Sequence, residues 1–110
     1  MSTAEVYDPA TGTFTAVGSM AAPRYMHAAA IVPDGTVLVA GGAHPSDWPG
    51  PASDAEIFDP ATGTFRATGS LARPRLSPMA VAVDDRVLVL GSLDVFGNEV
   101  DTSASTEWFQ

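Results

Sequence analysis

The sequence predicts an all-β chain built from repeated four-stranded antiparallel units, and three observations carry that expectation. First, Ala4-Glu5-Val6-Tyr7-Asp8-Pro9-Ala10-Thr11-Gly12-Thr13-Phe14 returns as Ala55-Glu56-Ile57-Phe58-Asp59-Pro60-Ala61-Thr62-Gly63-Thr64-Phe65, at an offset of 51. Self-similarity at a fixed period of this size marks a repeat architecture. Second, short runs rich in Ala, Val, Ile, Thr and Phe alternate with Gly, Pro and Asp clusters, which is the pattern of strands and turns. Third, no segment sustains a helical period.

The elements of one unit follow in order. Residues 26–32 are small and apolar, with Ala28, Ala29 and Ala30 ahead of Ile31 and Val32. Asp34-Gly35 reads as a two-residue hairpin turn, because both residue types tolerate positive φ. Val37 to Ala40 form the second strand, and Gly41-Gly42 end it. A long polar connection leads to a third strand near 54–58. Asp59-Pro60-Ala61-Thr62-Gly63 makes the next turn: Asp caps through its side chain, Pro presets φ and Gly accepts the left-handed position. Thr64 to Ala67 form the fourth strand.

The repeat extends beyond the shared phrase. Gly18-Ser19-Met20 returns as Gly69-Ser70-Leu71, and Pro23-Arg24 as Pro74-Arg75. Val37-Leu38-Val39 returns as Val87-Leu88-Val89, with the offset reduced by one. The missing residue falls in the turn, where Pro33-Asp34-Gly35-Thr36 becomes Asp84-Asp85-Arg86. A third copy begins with Glu107-Trp108-Phe109, 51 residues after Glu56-Ile57-Phe58.

Composition limits the function classes. The chain has 110 residues, 45% of them hydrophobic, so it can fold a core and holds one small domain at most. Its net charge is −8, and its five basic residues are arginines scattered among 13 carboxylates. No basic patch exists to neutralise phosphates, which disfavours nucleic acid and anionic membrane surfaces. The absence of cysteine removes disulfides, thiolate metal sites and cysteine nucleophiles. Met1-Ser2-Thr3-Ala4-Glu5 lacks a signal-peptide pattern, and no stretch approaches transmembrane length. As written, the expectation is cytoplasmic; it becomes secreted if a longer precursor carries an address upstream.

These residues resemble the kelch family over essentially the whole chain. Gly41-Gly42 match that family's double glycine. Tyr7 and Phe58 take its tyrosine position, and Phe14 and Phe65 its tryptophan position. Met20-Ala21-Ala22-Pro23-Arg24 matches its next element, and His27 follows at the expected spacing. The second unit departs from the pattern, with Gly91-Ser92 for the double glycine and Pro78 for the histidine. The Asp-Pro-Ala-Thr-Gly-Thr wording is similar to bacterial, galactose-oxidase-like repeats. The resemblance implies a six- or seven-bladed β-propeller in a complete protein, with the alanine-rich strand nearest the axis.

Set against that blade pattern, residues 4–17 are the outer half of one blade, 26–68 a complete blade and 77–110 three strands of another. Such blades expose apolar faces that normally pack on neighbours. The expectation is therefore either a fragment of a longer propeller or self-association through open blade edges, three copies supplying six blades. In that trimer, residues 106–110 duplicate the strand supplied by 4–8.

Internal repetition filters the candidate residues, since one functional site rarely needs itself twice. Tyr7, Phe14, Arg24, Gly41, Gly42, Phe58, Phe65 and Arg75 recur or belong to the repeat, and they read as blade construction. Glu5, Glu56 and Glu107 recur too, and an Arg–Glu pair or strand-end hydrogen bonds would use them. The unrepeated stretches, 43–54 and 92–103, read as long loops in one position of the blade, where propellers carry recognition. His44, Asp47, Trp48, Asp94 and Phe96 are the candidate contact residues, Trp48 and Phe96 foremost, because surface aromatics anchor interfaces. The alternative for both rings is a plug tucked onto their own blade. His27 and His44 share no short metal-ligand spacing: His27 reads as a strand-start residue bonded to backbone and His44 as a solvent-exposed loop residue. Asp94, Asn98, Glu99 and Asp101 do not follow the calcium-loop spacing. No catalytic constellation or cofactor fingerprint is present. The expected function is a non-enzymatic binding module for a protein partner or its own copies; the alternative is a piece of a larger galactose-oxidase-like or carbohydrate-binding propeller protein.

Overall fold

The computed structural model describes residues 2–44, 52–96 and 99–109. The chain is all-β: no helix occurs among the described residues, and all strand pairing is antiparallel. In chain order the strands are β1 (Glu5–Asp8), β2 (Thr13–Ala16), β3 (Ala28–Ile31), β4 (Val37–Ala40), β5 (Ala55–Asp59), β6 (Thr64–Ala67), β7 (Met79–Val83), β8 (Arg86–Phe96) and β9 (Glu99–Phe109). They form three sheets of sequential neighbours: β1-β2, β3-β4-β5-β6 and β7-β8-β9.

Turn chemistry sets the hairpins. In the β5–β6 connection, Asp59 Oδ1 accepts the Ala61 N–H at 2.9 Å and Asp59 O accepts the Gly63 N–H at 2.8 Å. Asp8 repeats this in the β1–β2 connection, with bonds of 2.8 Å and 2.7 Å from Ala10 and Gly12. Gly12 and Gly63 both sit at φ 70°, where a side chain would strain the backbone. The β3–β4 turn differs from the two-residue expectation. Val32 O accepts the Gly35 N–H and Thr36 O accepts the Val32 N–H, so the loop holds three residues, 33–35. Only Gly35 has positive φ, and Asp34 instead caps Thr36 through its carboxylate. Pro33 explains the change, because its ring fixes a negative φ at the first loop position and favours a type I turn closed by glycine. The β7–β8 turn has two residues, Asp84 and Asp85, between the paired Val83 and Arg86. That one-residue difference is the reduced offset of the second unit.

A second difference concerns residues 92–103, expected as a loop. Residues 92–96 and 99–103 instead continue the β8–β9 pairing, with Ser92 opposite Ser103 and Phe96 opposite Glu99. The register shifts between Leu90 and Ser92, which makes Gly91 an irregular point in the ladder.

Alternation along each strand divides the sheets into two faces. One face of the central sheet carries Leu38, Ala40, Ala55 and Ile57, and these pack with Val87 and Val89 of the third sheet. Phe109 and Ala80 close the same core from the third sheet. Full burial of each large aliphatic side chain contributes about 1.5–3 kcal/mol. The opposite face of the central sheet carries Val37, Val39, Phe58 and Phe65. It meets Val6 and Val17 of the first sheet around a cleft of about 130 Å³. The stack thus repeats one arrangement: each sheet turns its Val6/Ile57-type face forward and its Phe58-type face back.

Candidate functional site

Antiparallel pairing sends alternate connections to opposite ends of the central sheet. One end holds only tight turns, 33–35 and 60–63. The other gathers the segments 17–27 and 68–78 and both necks of the β4–β5 connection, residues 41–44 and 52–54. Its connections are tied to one another. Gly42 N donates to Arg75 O at 2.8 Å, Arg75 N to Ala52 O at 3.0 Å and Ser77 N to Met26 O at 2.8 Å.

Two buried arginines organise this end. The Arg24 side chain is fully buried. Its NH1 donates to Gly41 O at 3.0 Å and to Asp54 O at 3.1 Å. Its NH2 donates to Asp54 Oδ2 at 3.0 Å and to Glu56 Oε2 at 3.1 Å. Glu56 Oε1 accepts the Ala21 N–H at 2.8 Å, so the carboxylate spans the arginine and the segment that brings it. Arg24 Nε finds no acceptor among the described residues. Arg75 repeats the design in the next unit. Its Nε donates to Glu107 Oε2 at 2.8 Å and its NH1 to Gly91 O at 3.1 Å, while Ala72 N donates to Glu107 Oε1. Burial pushes the Glu107 carboxyl up, but the Ala72 N–H and the Arg75 guanidinium outweigh it and hold it below its ordinary value. Arginine suits this task because its planar fork serves carbonyl and carboxylate acceptors together.

The double glycine makes room for these contacts. Gly41 and Gly42 sit at φ 71° and 85°. A Cβ on Gly42 would overlap Tyr25 O and lie 3.0 Å from His27 N. Tyr25 also bridges to Ala43, which brings the backbones this close. In the next unit Ser92 follows Gly91, and its Oγ accepts the Leu76 N–H at 3.2 Å. The register shift at Gly91 gives the serine side chain its place.

His44 corrects the expectation of a solvent-exposed loop histidine. Its Nδ1 lies 2.8 Å from Pro23 O and its Nε2 2.7 Å from Asp54 Oδ1, with 14% of the side chain exposed. A carbonyl and a carboxylate are both acceptors, so both bonds together require the imidazolium. Accordingly the Pro23 carbonyl, helped by Asp54 against partial burial, raises the His44 pKa above its ordinary value. Burial pushes Asp54 up, but the His44 hydrogen bond and the Arg24 charge hold it below the usual range. The second unit lacks this pair, since the residue 51 positions after Asp54 is Ser105.

The remaining sequence candidates separate. Asp47 and Trp48 lie outside the described residues. Asp94 and Phe96 lie on β8, as strand positions rather than loop positions, paired with Asp101 and Glu99; their side chains lie outside the described residues. Tyr7 packs on Phe14 at 4.9 Å and Phe58 on Phe65 at 5.0 Å between ring centroids, as tilted cross-strand pairs. His44 was a candidate for contact, and the structure joins it instead to Arg24, Asp54 and Glu56 in one network. Pro23 and Asp54 are 21 and 10 residues from His44, so no local spacing signals the cluster. Among the described residues, no three His, Asp or Glu side chains gather as a metal site. No family model and no curated protein matches the chain.

Proposed function

We propose that the chain is a kelch-type propeller segment acting as a non-enzymatic binding module. One observation carries the reading: the sheets are joined by a repeated arginine clamp, Arg24 to Glu56 and Arg75 to Glu107, and both described necks of the unrepeated β4–β5 connection lie at the clamped end. A scaffold of packed sheets with its unrepeated connection at one end is the arrangement in which loops recognise a partner. The partner class is protein: a chain of net charge −8 repels phosphate-rich surfaces, and Tyr25 and Met26 present exposed apolar side chains at the clamped end.

The test is end-selective photo-cross-linking in the producing cell. A benzophenone amino acid at Tyr25 should capture a discrete protein, and the same probe at Thr62, on the tight-turn end, should not. Equal capture at both ends, or none at Tyr25, would sink the reading.

A further inference from the structure

We propose that the chain binds a second copy of itself head to tail, the open face of its third sheet receiving the open face of the other copy's first sheet. The inference rests on the stacked-unit reading above and names the partner of that stack. Its basis is that both halves of one repeated interface lie uncovered in the same chain.

Inside the chain, the central sheet presents Leu38 and Ile57 forward, and the third sheet lays its Phe109-bearing face upon them. One step earlier, Val6 of the first sheet faces Phe58 and Phe65 of the central sheet across their shared cleft. The same pairing rule defines what the two outer faces of the stack would accept. On the forward face of the third sheet, Trp108 takes the Ile57 position and Leu88 the Leu38 position, and the register sets them opposite each other. Val81 pairs with Leu88 on this face, and Met79 lies two residues before Val81. Met79 is 65% exposed and Trp108 45%. On the backward face of the first sheet, Tyr7 and Phe14 take the Phe58 and Phe65 positions. They are 51% and 65% exposed, whereas Phe58 is 9% exposed under its neighbouring sheet. An exposed aromatic pair and an exposed aliphatic-tryptophan face are the two surfaces that the internal interfaces cover.

Charge agrees with the pairing. Arg86 lies on the receiving face with its guanidinium 3.9 Å from the Trp108 ring centroid. Glu5 lies on the inserting face, two residues from Tyr7 and exposed. Head-to-tail stacking brings these opposite charges together, while two third-sheet faces packed on each other would bring Arg86 against Arg86. Two copies joined twice in this sense stack six sheets, three from each. The dimer requires a twofold axis relating the two contacts, since a head-to-tail contact whose rotation does not close grows into fibres.

Sedimentation equilibrium of the purified full chain over micromolar to several hundred micromolar concentration tests this. The wild type should show twice the 11.3 kDa monomer mass at the upper end. Tyr7→Glu damages only the inserting face and Trp108→Glu only the receiving face, so each variant alone should remain monomeric. A one-to-one mixture of the two retains one undamaged contact and should recover a heterodimer, held at least tenfold more weakly than the wild type. Far-UV circular dichroism should show unchanged β signal in both variants; if either Glu variant unfolds, Tyr7→Ser and Trp108→Ser replace them. A monomeric wild type overturns the proposal, as does a Tyr7 variant that still dimerises, or a mixture that stays monomeric. Those outcomes leave capture at Tyr25 by an unrelated protein untouched, so the two readings fail separately.

Discussion

Arg24 offers the sharpest test of how the stack is held. Replacing it with methionine keeps most of the side-chain volume and removes four hydrogen bonds, to Gly41 O, Asp54 O, Asp54 Oδ2 and Glu56 Oε2. Glu56 has a side chain 4% exposed and would keep only the Ala21 N–H on its carboxylate. Stranding a buried charge in this way costs about 3–5 kcal/mol. A chain of this length has a total stability of about 5–15 kcal/mol, so the variant should lose about a fifth of it or more. The measurement is urea unfolding followed by far-UV circular dichroism, at one dilute protein concentration because association adds stability by mass action. The midpoint should fall with the slope unchanged. Adding Glu56→Gln to Arg24→Met removes the stranded charge and should return about 1–2 kcal/mol. As a control, Arg86→Met removes an arginine that is 39% exposed and 3.8 Å from an exposed Asp85, and should shift stability by less than about 1 kcal/mol. If Arg24→Met costs less than about 1 kcal/mol, or the double variant is no more stable than the single, the clamp does not hold the stack.

Two further outcomes follow, the first comparing glycines at opposite ends of the central sheet. Gly35→Ala meets no atom within 4 Å and suffers only from its φ of 91°, so it should cost about 1–2 kcal/mol. Gly42→Ala adds overlap with Tyr25 O and should cost about 2–5 kcal/mol by the same urea assay; equal costs would mean that the Tyr25 approach imposes nothing. The His44 contribution has a definite sign. Its folded pKa lies above the ordinary 6.5, so its stabilisation is complete below pH 6.5 and fades as pH rises through the raised folded value. Wild type should therefore exceed His44→Gln in stability at pH 5.5, and the two should converge by pH 9. His27 acts oppositely: burial and the Arg24 charge lower its pKa, so its protonation works against folding below pH 6.5. The wild-type-minus-variant difference cancels that common effect, and a difference that grows toward pH 9 would refute the imidazolium.

The legible and illegible parts of the fold differ in the range of the contacts that decide them. Asp59-Pro60-Ala61-Thr62-Gly63 and its earlier copy could be read as turns because an Asp side chain, a Pro ring and a Gly at positive φ act within five residues. The alternating strands could be read because period two sets which face is buried. The β3–β4 turn departs by one residue from what Asp34-Gly35 alone implies, because Pro33 ahead of it fixes a negative φ at the first loop position. Residues 92–103 read as a loop through their polar content. The missed signal was alternation, Leu93 and Val95 against Val100 and Thr102, around Gly97-Asn98, a favoured hairpin dipeptide. The His44 network could not be read, because its partners come from two connections that only the folded sheet brings together.

Repetition separates what builds the stack from what one unit adds to it. Arg24 and Arg75 each join the carbonyl of a repeated glycine, Gly41 just after β4 and Gly91 at the irregular point of β8, to a glutamate on the following strand. A contact made twice in this way answers a need of every unit, and its loss should register as unfolding. His44 and Asp54 answer a need of one unit only. They stand at either end of the connection that carries Trp48, and the Nε2–Oδ1 bond of 2.7 Å ties the two ends together. The Ala52 N–H closes the same neck onto Gly42 O at 2.6 Å. A connection with a pinned neck can change its residues without disturbing the register of β4 and β5, because the sheet is closed below it. Residues 45–51 depart from the repeat in sequence, whereas Arg24 recurs as Arg75. That contrast sets the neck apart functionally: His44→Gln should loosen how this connection is presented while leaving the buried Arg24–Glu56 pair, and the sheet it holds, in place.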